Sequence, residues 1–251
     1  MKIALLQINS AWEDESRNCI TASHLIAEAA RAQCDVAVLP EMFSTGFTMN
    51  LAAVSDGLET TGFLAKQAES WGINIIAGIA GIKPHDRRGT NSALVFDRTG
   101  CLRDRYTKMR AFPLISEDYS YRPGKKPVIF RLDEVLASVF ICYDLRFPEL
   151  FRQVSADVQV IFVIANWPAE RMIHWETLLK ARAIENQCYI VGVNRLGKDG
   201  SGIQYTGGSL VIDPLGTIVS QLDWRNDWAA ADIDPTMVAA VRNRYPFLPK
   251  H

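Results

Sequence analysis

Histidine, cysteine and long hydrophobic runs are scarce in this sequence, and each shortage argues against a class of protein. The 251 residues include five cysteines without a CxxC pair, which argues against a disulfide framework and against a zinc site. The four histidines are far apart, and no two of them stand at metal-ligand spacing. We therefore expect neither structural disulfides nor a protein-bound metal. The residues concerned are Cys19, Cys34, Cys101, Cys142 and Cys188, and His24, His85, His174 and His251.

An excess of charge of either sign is also absent. Lys and Arg number 27 and Asp and Glu number 28, so the formal net charge is −1. A balance this close to neutral argues against a nucleic-acid-binding protein and against electrostatic attachment to a membrane surface. The apolar run at 3–6 is too short for a signal-peptide core, and no stretch approaches the roughly 20 apolar residues of a membrane span. These features predict a cytoplasmic protein.

The composition is that of a globular protein, with 48% hydrophobic residues. Short apolar runs alternate with helical stretches, which predicts the α/β class, and no linker divides the chain, which predicts a single domain over residues 1–251. The strands number about ten to twelve, which is many for one open sheet, and two sheets packed face to face would use them all. Strands are predicted at 3–8, 36–39, 73–79, 92–96, 102–106, 128–131, 136–141, 158–164, 189–193, 209–212 and 217–221, and helices at 17–33, 60–71 and 174–186.

A carboxylate follows directly after a predicted buried strand in the segment VLPEMFSTGF, residues 38–47. Ligand sites in α/β folds are built at the ends of strands, so Glu41 is a candidate acid or base. Taken alone, Glu41 also fits a residue that caps a turn in solvent.

Lys108 ends a hairpin strand and precedes a long irregular segment, residues 109–127. Long loops in compact domains are often functional, and this one carries Glu117 and Tyr119. Taken alone, Lys108 also fits an exposed surface charge, and the loop fits a surface segment with aromatic packing.

A cysteine stands between a predicted strand and a polar turn in the segment SVFICYDLRFPEL, residues 138–150. Pro148 suits the first turn of a helix, and the nearby helix start is expected to favour the thiolate of Cys142. Taken alone, Cys142 also fits a buried structural cysteine.

The three segments together indicate a catalytic function that none of them indicates alone. A cysteine nucleophile needs a base, and an amide substrate needs hydrogen-bond donors for its oxyanion. A strand-end Glu, a strand-end Lys and a strand-end Cys, in this order, supply all three functions. With these motifs the sequence resembles the nitrilase superfamily, the carbon–nitrogen hydrolases with a Glu–Lys–Cys triad. The resemblance runs from Gln7 in the first strand to the turn DPLG at 213–216.

Two further segments resemble the bacterial ω-amidase branch of that superfamily. They are ICYDLRFPELFR at 141–152 and ANWPAERMIHWETLLKARAIENQCYIVGVNRLG at 165–197. The resemblance implies hydrolysis of the terminal amide of 2-oxo acids such as 2-oxoglutaramate and 2-oxosuccinamate. It also implies a four-layer α-β-β-α sandwich of two mixed sheets covered by helices, the use of no cofactor or metal, and assembly into a homodimer or a higher homo-oligomer.

The family's catalytic roles fall on four residues of this sequence. The general base falls on Glu41, the lysine on Lys108 and the nucleophile on Cys142. Many members carry a second glutamate between the lysine and the cysteine, and its best match here is Glu117. The backbone N–H of Tyr143 is expected to face the oxyanion together with the lysine.

The substrate pocket is expected beside the nucleophile. Asn166 and Trp167 follow the predicted strand at 158–164, so they should lie at the same sheet edge as Cys142. Phe43, Tyr119 and Trp167 are candidate walls that would limit pocket length, and for Trp167 and Phe43 core packing is the alternative.

A substrate with a distal carboxylate calls for a cation opposite the reacting carbon, and Arg146 or Arg110 is a candidate. Arg146 also fits a structural pair with Glu149, which we favour slightly.

Two other functions remain open at this point. One is another amidase of the superfamily, such as an N-carbamoyl amine hydrolase or a deaminated-glutathione amidase. The other is a catalytically silent scaffold of the same fold, against which the presence of all three triad residue types argues.

Overall fold

The computed structural model describes residues 1–248, so the last three residues of the predicted domain, including His251, lie outside it. Fourteen strands and six α-helices occur in the described residues. The strands are β1 Lys2–Leu6, β2 Val36–Val38, β3 Asn74–Gly81, β4 Thr90–Phe96, β5 Leu102–Thr107, β6 Phe130–Leu132, β7 Val135–Ile141, β8 Val160–Ala165, β9 Tyr189–Asn194, β10 Leu196–Lys198, β11 Gln204–Thr206, β12 Leu210–Ile212, β13 Ile218–Gln221 and β14 Trp228–Asp232. The helices are α1 Glu15–Arg31, α2 Leu58–Trp71, α3 Glu117–Ser120, α4 Pro148–Arg152, α5 Met172–Asn186 and α6 Thr236–Arg244.

Twelve of the strands form two six-stranded mixed sheets, with the orders β14-β1-β2-β3-β4-β5 and β13-β12-β9-β8-β7-β6. Three neighbouring strands are parallel in each sheet, β1 to β3 in the first and β7 to β9 in the second, and the outer pairings are antiparallel. Strands β10 and β11 pair separately as a two-stranded ribbon. The prediction of two mixed sheets is therefore confirmed.

The two sheets share a hydrophobic core, and the alternation of side chains along β1 shows how the layers form. Ile3 and Leu5 belong to the core cluster that includes the strands of the second sheet, whereas Ala4 and Leu6 belong to the cluster under α1 and α2. Successive side chains of a strand point to opposite faces, so the first sheet is buried on both sides. Helix α5 covers the outer face of the second sheet through buried residues that include Trp175. The result is the predicted four-layer sandwich of helices, sheet, sheet and helices.

Helix ends follow the local sequence. Asp14 caps α1 by accepting a hydrogen bond from the backbone of Arg17 at 3.0 Å, and Gly72 ends α2 in the left-handed conformation with φ of 60°. No helix of the described residues combines the length and the apolar character that crossing a membrane requires.

The fold brings several strand ends to one edge of the sandwich. Glu41 follows β2 and Lys108 follows β5 in the first sheet, while Cys142 follows β7 and Asn166 follows β8 in the second. A hydrogen bond of 3.0 Å from the backbone of Asn166 to the carboxylate of Glu41 joins the two sheets at this edge.

Candidate active site

Glu41 is a buried carboxylate held by four hydrogen bonds. Its Oε1 accepts from Lys108 Nζ at 2.9 Å and from Asn91 Nδ2 at 2.7 Å. Its Oε2 accepts from the backbone N–H and the side-chain amide of Asn166, at 3.0 and 3.2 Å. Glu41 is therefore not the turn cap in solvent that its position alone allows, because its exposure is 1% and every donor it meets comes from the protein interior.

The backbone of Glu41 lies so close to β3 that only glycine fits opposite it. A Cβ atom at Gly78 would lie 2.5 Å from the Cα of Glu41 and 2.7 Å from the carbonyl oxygen of Pro40. The N–H of Gly78 donates to that same oxygen at 3.2 Å. The glycine thus allows the strand to hold the Pro40–Glu41 turn directly.

Lys108 is a buried ammonium group between two carboxylates. Its Nζ lies 2.9 Å from Glu41 Oε1 and 2.9 Å from Glu117 Oε2. Glu117 is held in turn by the backbone N–H of Phe112, which donates to Oε2 at 2.6 Å. The structure therefore brings together Glu41, Lys108 and Glu117, the last of which lies on the one-turn helix α3 inside the predicted irregular segment.

The charge state of Lys108 follows from these neighbours. Burial lowers the pKa of Lys108 and is the largest single effect, but the charges of Glu41 and Glu117 together outweigh it, so the pKa is raised. Lys108 is therefore a fixed cation, suited to stabilising negative charge and unsuited to accepting a proton.

Cys142 occupies a strained turn at the end of β7. Its backbone is left-handed, with φ of 47°, which is rare for residues other than glycine. Its Sγ lies 3.8 Å from the backbone carbonyl oxygen of Asn166, which can accept the thiol proton in a weak hydrogen bond. Strain of this kind clusters at functional sites.

The expectation that the nearby helix start favours the thiolate of Cys142 is wrong, because the surroundings of this residue disfavour the thiolate. Burial raises the pKa of the Cys142 thiol well above its usual value, and the negative charge of Glu41 raises it further, whereas Lys108 lowers it by less. The helix that follows begins only at Pro148, after a short 3-10 turn over residues 142–146. The thiol is therefore protonated at rest, and its proton needs an acceptor during attack.

Asp144 braces the turn that carries the nucleophile. Its carboxylate accepts hydrogen bonds from the backbone of Ile141 at 3.0 Å, from the hydroxyl of Tyr106 at 2.7 Å and from the backbone of Arg110 at 2.9 Å. Burial raises the pKa of Asp144 to about 6, and these hydrogen bonds oppose the rise. Since Tyr106 and Arg110 flank Lys108 in the chain, Asp144 ties the cysteine turn to the lysine segment.

A cavity of about 100 Å³ opens beside Cys142. Four of the predicted pocket residues line it, namely Tyr143, Arg146, Asn166 and Trp167. Side chains that the sequence did not single out complete its walls, and they are Phe47, Phe112, Ile115, Pro168, Arg171, Asp199, Ser201, Ile203 and Tyr205.

Phe43 and Tyr119 do not line the cavity, contrary to expectation. Phe43 is fully buried in the apolar cluster between the first sheet and helices α1 and α2. Tyr119 is 78% exposed on α3, two residues after Glu117. Two residues span about 200° around a helix, so a Glu117 side chain that points inward leaves Tyr119 in solvent.

The expected ion pair of Arg146 with Glu149 is also wrong. Glu149 pairs with Arg110 at 3.3 Å, while Arg146 lies over the ring of Trp167 at 4.9 Å and meets the ring of His174 at 3.1 Å. Residues three apart meet on a continuous helix, but here the helix starts only at Pro148 and Arg146 belongs to the preceding 3-10 turn. Arg146 lines the cavity, and Arg110 does not.

Asn91 is a buried site residue that the sequence reasoning missed. Its single amide nitrogen donates to Glu41 at 2.7 Å and to Glu117 at 3.0 Å, so it spaces the two carboxylates. The available signal was a polar residue directly before the apolar strand predicted at 92–96. Within residues 1–248, no cluster of three or more His, Cys, Asp and Glu side chains is arranged to hold a metal ion.

Comparisons with known proteins agree with this geometry. The sequence profile of the carbon-nitrogen hydrolase family matches residues 2–243. A protein of Bacillus subtilis named 2-oxoglutaramate amidase is 34% identical over 248 residues, which cover 97% of this chain and 95% of the relative. The omega-amidase YafV of Yersinia enterocolitica is 37% identical over 255 residues, which cover 98% of this chain and 94% of the relative.

Solved structures share the fold closely. A CN-hydrolase superfamily protein from Xanthomonas campestris, crystallised with an arsenic adduct in its active site, superposes with a TM-score of 0.93 at 30% identity. The match covers 99% of this chain and 96% of the other.

Proposed function

The chain belongs to the carbon-nitrogen hydrolase family, and we propose that it hydrolyses the terminal amide of small 2-oxo acid amides to the dicarboxylate and ammonia. The family makes it a hydrolase of carbon–nitrogen bonds. The names of the bacterial relatives, 2-oxoglutaramate amidase and omega-amidase, support 2-oxoglutaramate and 2-oxosuccinamate as substrates. The cavity of about 100 Å³ supports a small substrate.

The observation that carries the proposal is the meeting of three chemical groups at one sheet edge. The buried carboxylate of Glu41 contacts the ammonium group of Lys108, and both lie in the site of Cys142, whose sulfur opens on the cavity. Asn166 links the base to the thiol, since its backbone N–H donates to Glu41 at 3.0 Å and its backbone oxygen lies 3.8 Å from the Sγ of Cys142. A base, a fixed cation and a thiol are what acyl transfer from an amide requires.

In the acylation step, the Sγ of Cys142 attacks the amide carbonyl carbon while Glu41 takes the thiol proton. The new C–S bond pushes the carbonyl electron pair onto oxygen, which Lys108 and the backbone N–H of Tyr143 stabilise. Tyr143 is the second residue of its 3-10 turn, so its N–H has no partner within the turn. Glu41 then returns the proton to nitrogen, the C–N bond breaks with its electron pair on nitrogen, and ammonia leaves.

In the deacylation step, a water molecule gives a proton to Glu41 and attacks the thioester carbon. The C–S bond breaks, and the sulfur takes the proton back from Glu41. The product leaves as the carboxylic acid and loses its proton to solvent, which gives the dicarboxylate. Glu117 holds Lys108 in place throughout by two contacts of 2.9 and 3.0 Å.

The carboxylate at the far end of the substrate meets Arg146 in this proposal. Arg171 also lines the cavity, but it pairs with Glu170 at 2.7 Å, whereas within residues 1–248 Arg146 contacts the rings of Trp167 and His174 and forms no ion pair. A guanidinium group that faces a cavity without a carboxylate partner suits an anionic ligand.

The test of the function is ammonia release from a panel of substrates measured in parallel. We expect the highest kcat/KM for 2-oxoglutaramate or 2-oxosuccinamate, with glutamine much poorer because its ammonium group adds a positive charge near Arg146. A tenfold or larger preference for N-carbamoylputrescine or for a simple nitrile would assign the protein to another branch of the superfamily.

The test of the nucleophile is intact-mass spectrometry during turnover. We expect an acyl adduct on Cys142 in the wild-type protein, and no turnover by a folded Cys142→Ala variant. An adduct on another cysteine, or activity in the variant, would contradict the assignment. Absence of turnover with every amide would favour the silent scaffold instead.

Three further properties belong to the proposal. The chain is a single domain over residues 1–251, supported by the core that both sheets share. It forms a homodimer or a higher homo-oligomer, supported by exposed apolar side chains after the nucleophile, at Ile173, Ile184, Leu215 and Trp224. Sedimentation velocity measures the assembly state, and a monomer at micromolar concentration would contradict the proposed oligomer.

We also propose that the protein acts in the cytoplasm, where a catalytic thiol stays reduced.

A further inference from the structure

The side-chain oxygen of Asn166 is a buried acceptor without a partner. The amide nitrogen of Asn166 donates to the backbone oxygen of Glu41 at 2.8 Å and to its Oε2 at 3.2 Å. Both of these atoms accept hydrogen bonds, so the nitrogen must face them and the oxygen must face away. Among the described residues no group donates to this oxygen, Oδ1. Seven buried side-chain atoms of the described residues have no hydrogen-bond partner, and Asn166 is the one residue among them that lines the cavity, where a ligand could supply a donor.

Asn166 lies where a substrate amide would meet both the nucleophile and the base. Its backbone oxygen is 3.8 Å from the Sγ of Cys142, its backbone N–H donates to Glu41 Oε2 at 3.0 Å, and it lines the cavity. A primary amide brings two N–H donors to this place. The carboxylate of Glu41 already accepts four hydrogen bonds from the protein, whereas Oδ1 of Asn166 accepts none from the described residues.

We propose that Oδ1 of Asn166 accepts a hydrogen bond from the NH₂ group of the scissile amide and makes the site selective for primary amides over isosteric groups without an N–H. This inference rests on the amidase function proposed above. The hydrogen bond turns the nitrogen toward Glu41, which protonates it as the C–N bond breaks. The nitrogen keeps its N–H groups until it leaves as ammonia, so Oδ1 has a donor at every stage of acylation.

The experiment measures binding without chemistry, in a Cys142→Ala background. Two ligands are compared by calorimetry: 2-oxoglutaramate, and 2,5-dioxohexanoate, in which a methyl group replaces the NH₂ group. The amide should bind about tenfold or more tightly than the methyl ketone, since a buried acceptor left unpaired is costly. Adding Asn166→Ala should reduce the ratio of the two affinities to about threefold or less, mainly because the affinity for the amide falls.

Asn91→Ala in the same background is the matched control. Asn91 also donates to Glu41, at 2.7 Å, but it does not line the cavity. This variant should leave the amide-to-ketone ratio unchanged, because Oδ1 of Asn91, although it also has no partner among the described residues, belongs to a residue outside the cavity lining. Turnover gives an independent measure in the protein with Cys142 intact: Asn166→Ala should lower kcat/KM for the amide about tenfold more than for the ω-methyl ester of 2-oxoglutarate.

An unchanged binding ratio in the Asn166→Ala variant would overturn the inference, as would an equal fall in the Asn91→Ala control. If Asn166→Ala does not fold, Asn166→Ser replaces it, because its shorter side chain withdraws the oxygen, and the same ratios decide. Failure of both ligands to bind to the Cys142→Ala protein would instead contradict the proposed 2-oxo acid substrate, and the inference would fall with it.

Discussion

Two carboxylates share one ammonium group in the buried site, and this imbalance shapes the chemistry of each residue. Lys108 holds Glu41 and Glu117 at 2.9 Å each, so the three groups together carry a negative charge close to Cys142. Burial raises the pKa of the Cys142 thiol, and Glu41 and Glu117 raise it further, so the proposed attack needs a proton acceptor, a role that falls to Glu41. Lys108 cannot act as the base, because its pKa is raised by the same two carboxylates.

Lys108→Met removes the cation and the oxyanion donor while keeping the length of the side chain. We expect kcat to fall more than a hundredfold, on the scale of about 3 kcal/mol for one donor, and KM to change less. The two glutamates lose their partner, so the variant should also be less stable. Activity is therefore measured below its melting temperature, with Lys125→Met, on an exposed loop, as the control. Activity within tenfold of the wild type would contradict the role of Lys108.

The pH dependence of Cys142 alkylation tests whether the resting thiol is protonated. Because burial and Glu41 both raise the pKa of this thiol, the iodoacetamide rate at Cys142 should keep rising through pH 9 without a plateau. Glu117 raises this pKa as well, so Glu41→Gln removes one of three causes and should move the profile to lower pH while abolishing hydrolysis. Peptide mapping separates Cys142 from the exposed Cys101. A plateau below pH 7 in the wild type would indicate a thiolate–lysine pair instead.

Sequence reasoning identified Glu41, Lys108 and Cys142 because each follows a strand and the order of the three is distinctive. It missed Asn91, because one polar residue at the start of a strand resembles many others. It misplaced Tyr119 because Glu117 and Tyr119 lie on a helix of only four residues. So short a segment has no hydrophobic periodicity from which the direction of its side chains could be predicted. Side-chain direction on short turns depends on tertiary contacts that the sequence pattern does not carry.

At the scale of secondary structure, the site depends on two turns, each of which is fixed by contacts with neighbouring parts of the fold. Cys142 sits in a left-handed turn braced by Asp144, and Glu41 follows a turn pressed against β3. The strands themselves were readable, since continuous apolar runs bounded by turn residues indicate buried strands. Strands β10, β11 and β14 and helices α3 and α6 were not predicted. Strands β10 (LGK) and β11 (QYT) contain no apolar run, α3 has four residues, and the other two elements carry mixed patterns.

Gly78→Ala tests whether the close approach of β3 positions the base. The new Cβ would lie 2.5 Å from the Cα of Glu41, and neither backbone can yield without shifting a strand or the catalytic turn. We expect a stability loss of about 1–3 kcal/mol, as in overpacked cores, and a fall in kcat larger than the change in KM. Thermal unfolding measures the stability loss, and steady-state kinetics on the same preparation measure kcat and KM.

Gly62→Ala is the matched control. Gly62 lies inside α2, and a Cβ there would meet nothing within 4 Å. Replacing this helical glycine should stabilise the protein by roughly 0.5–1 kcal/mol and leave the kinetics unchanged. Wild-type kinetics in the Gly78→Ala variant would show that β3 does not set the position of Glu41.

At the scale of the whole molecule, the site exists only because two sheets meet. Glu41 and Lys108 follow strands of the first sheet, and Cys142 and Asn166 follow strands of the second. The β10–β11 ribbon adds Tyr205 from β11, and Asp199 from the turn after β10, to the cavity wall. The sequence suggested this sandwich through its strand count, and the resemblance supplied its four layers. The cavity lining was the least predictable part, because it is assembled from segments that lie far apart in the chain.

The charge of this assembled cavity determines which amides it accepts, and Arg146 is the residue that tests it. If the distal carboxylate of 2-oxoglutaramate pairs with Arg146, Arg146→Met should raise KM for that substrate by about 10- to 100-fold, the range for a lost charge-assisted hydrogen bond. The KM for an uncharged amide of similar length should change little. Arg110→Met is the control, since Arg110 pairs with Glu149 outside the cavity and should leave both substrates unaffected. Equal losses for the charged and the uncharged amide would mean that Arg146 supports only the packing of Trp167, and another cation of the lining, Arg171, would become the carboxylate partner to examine.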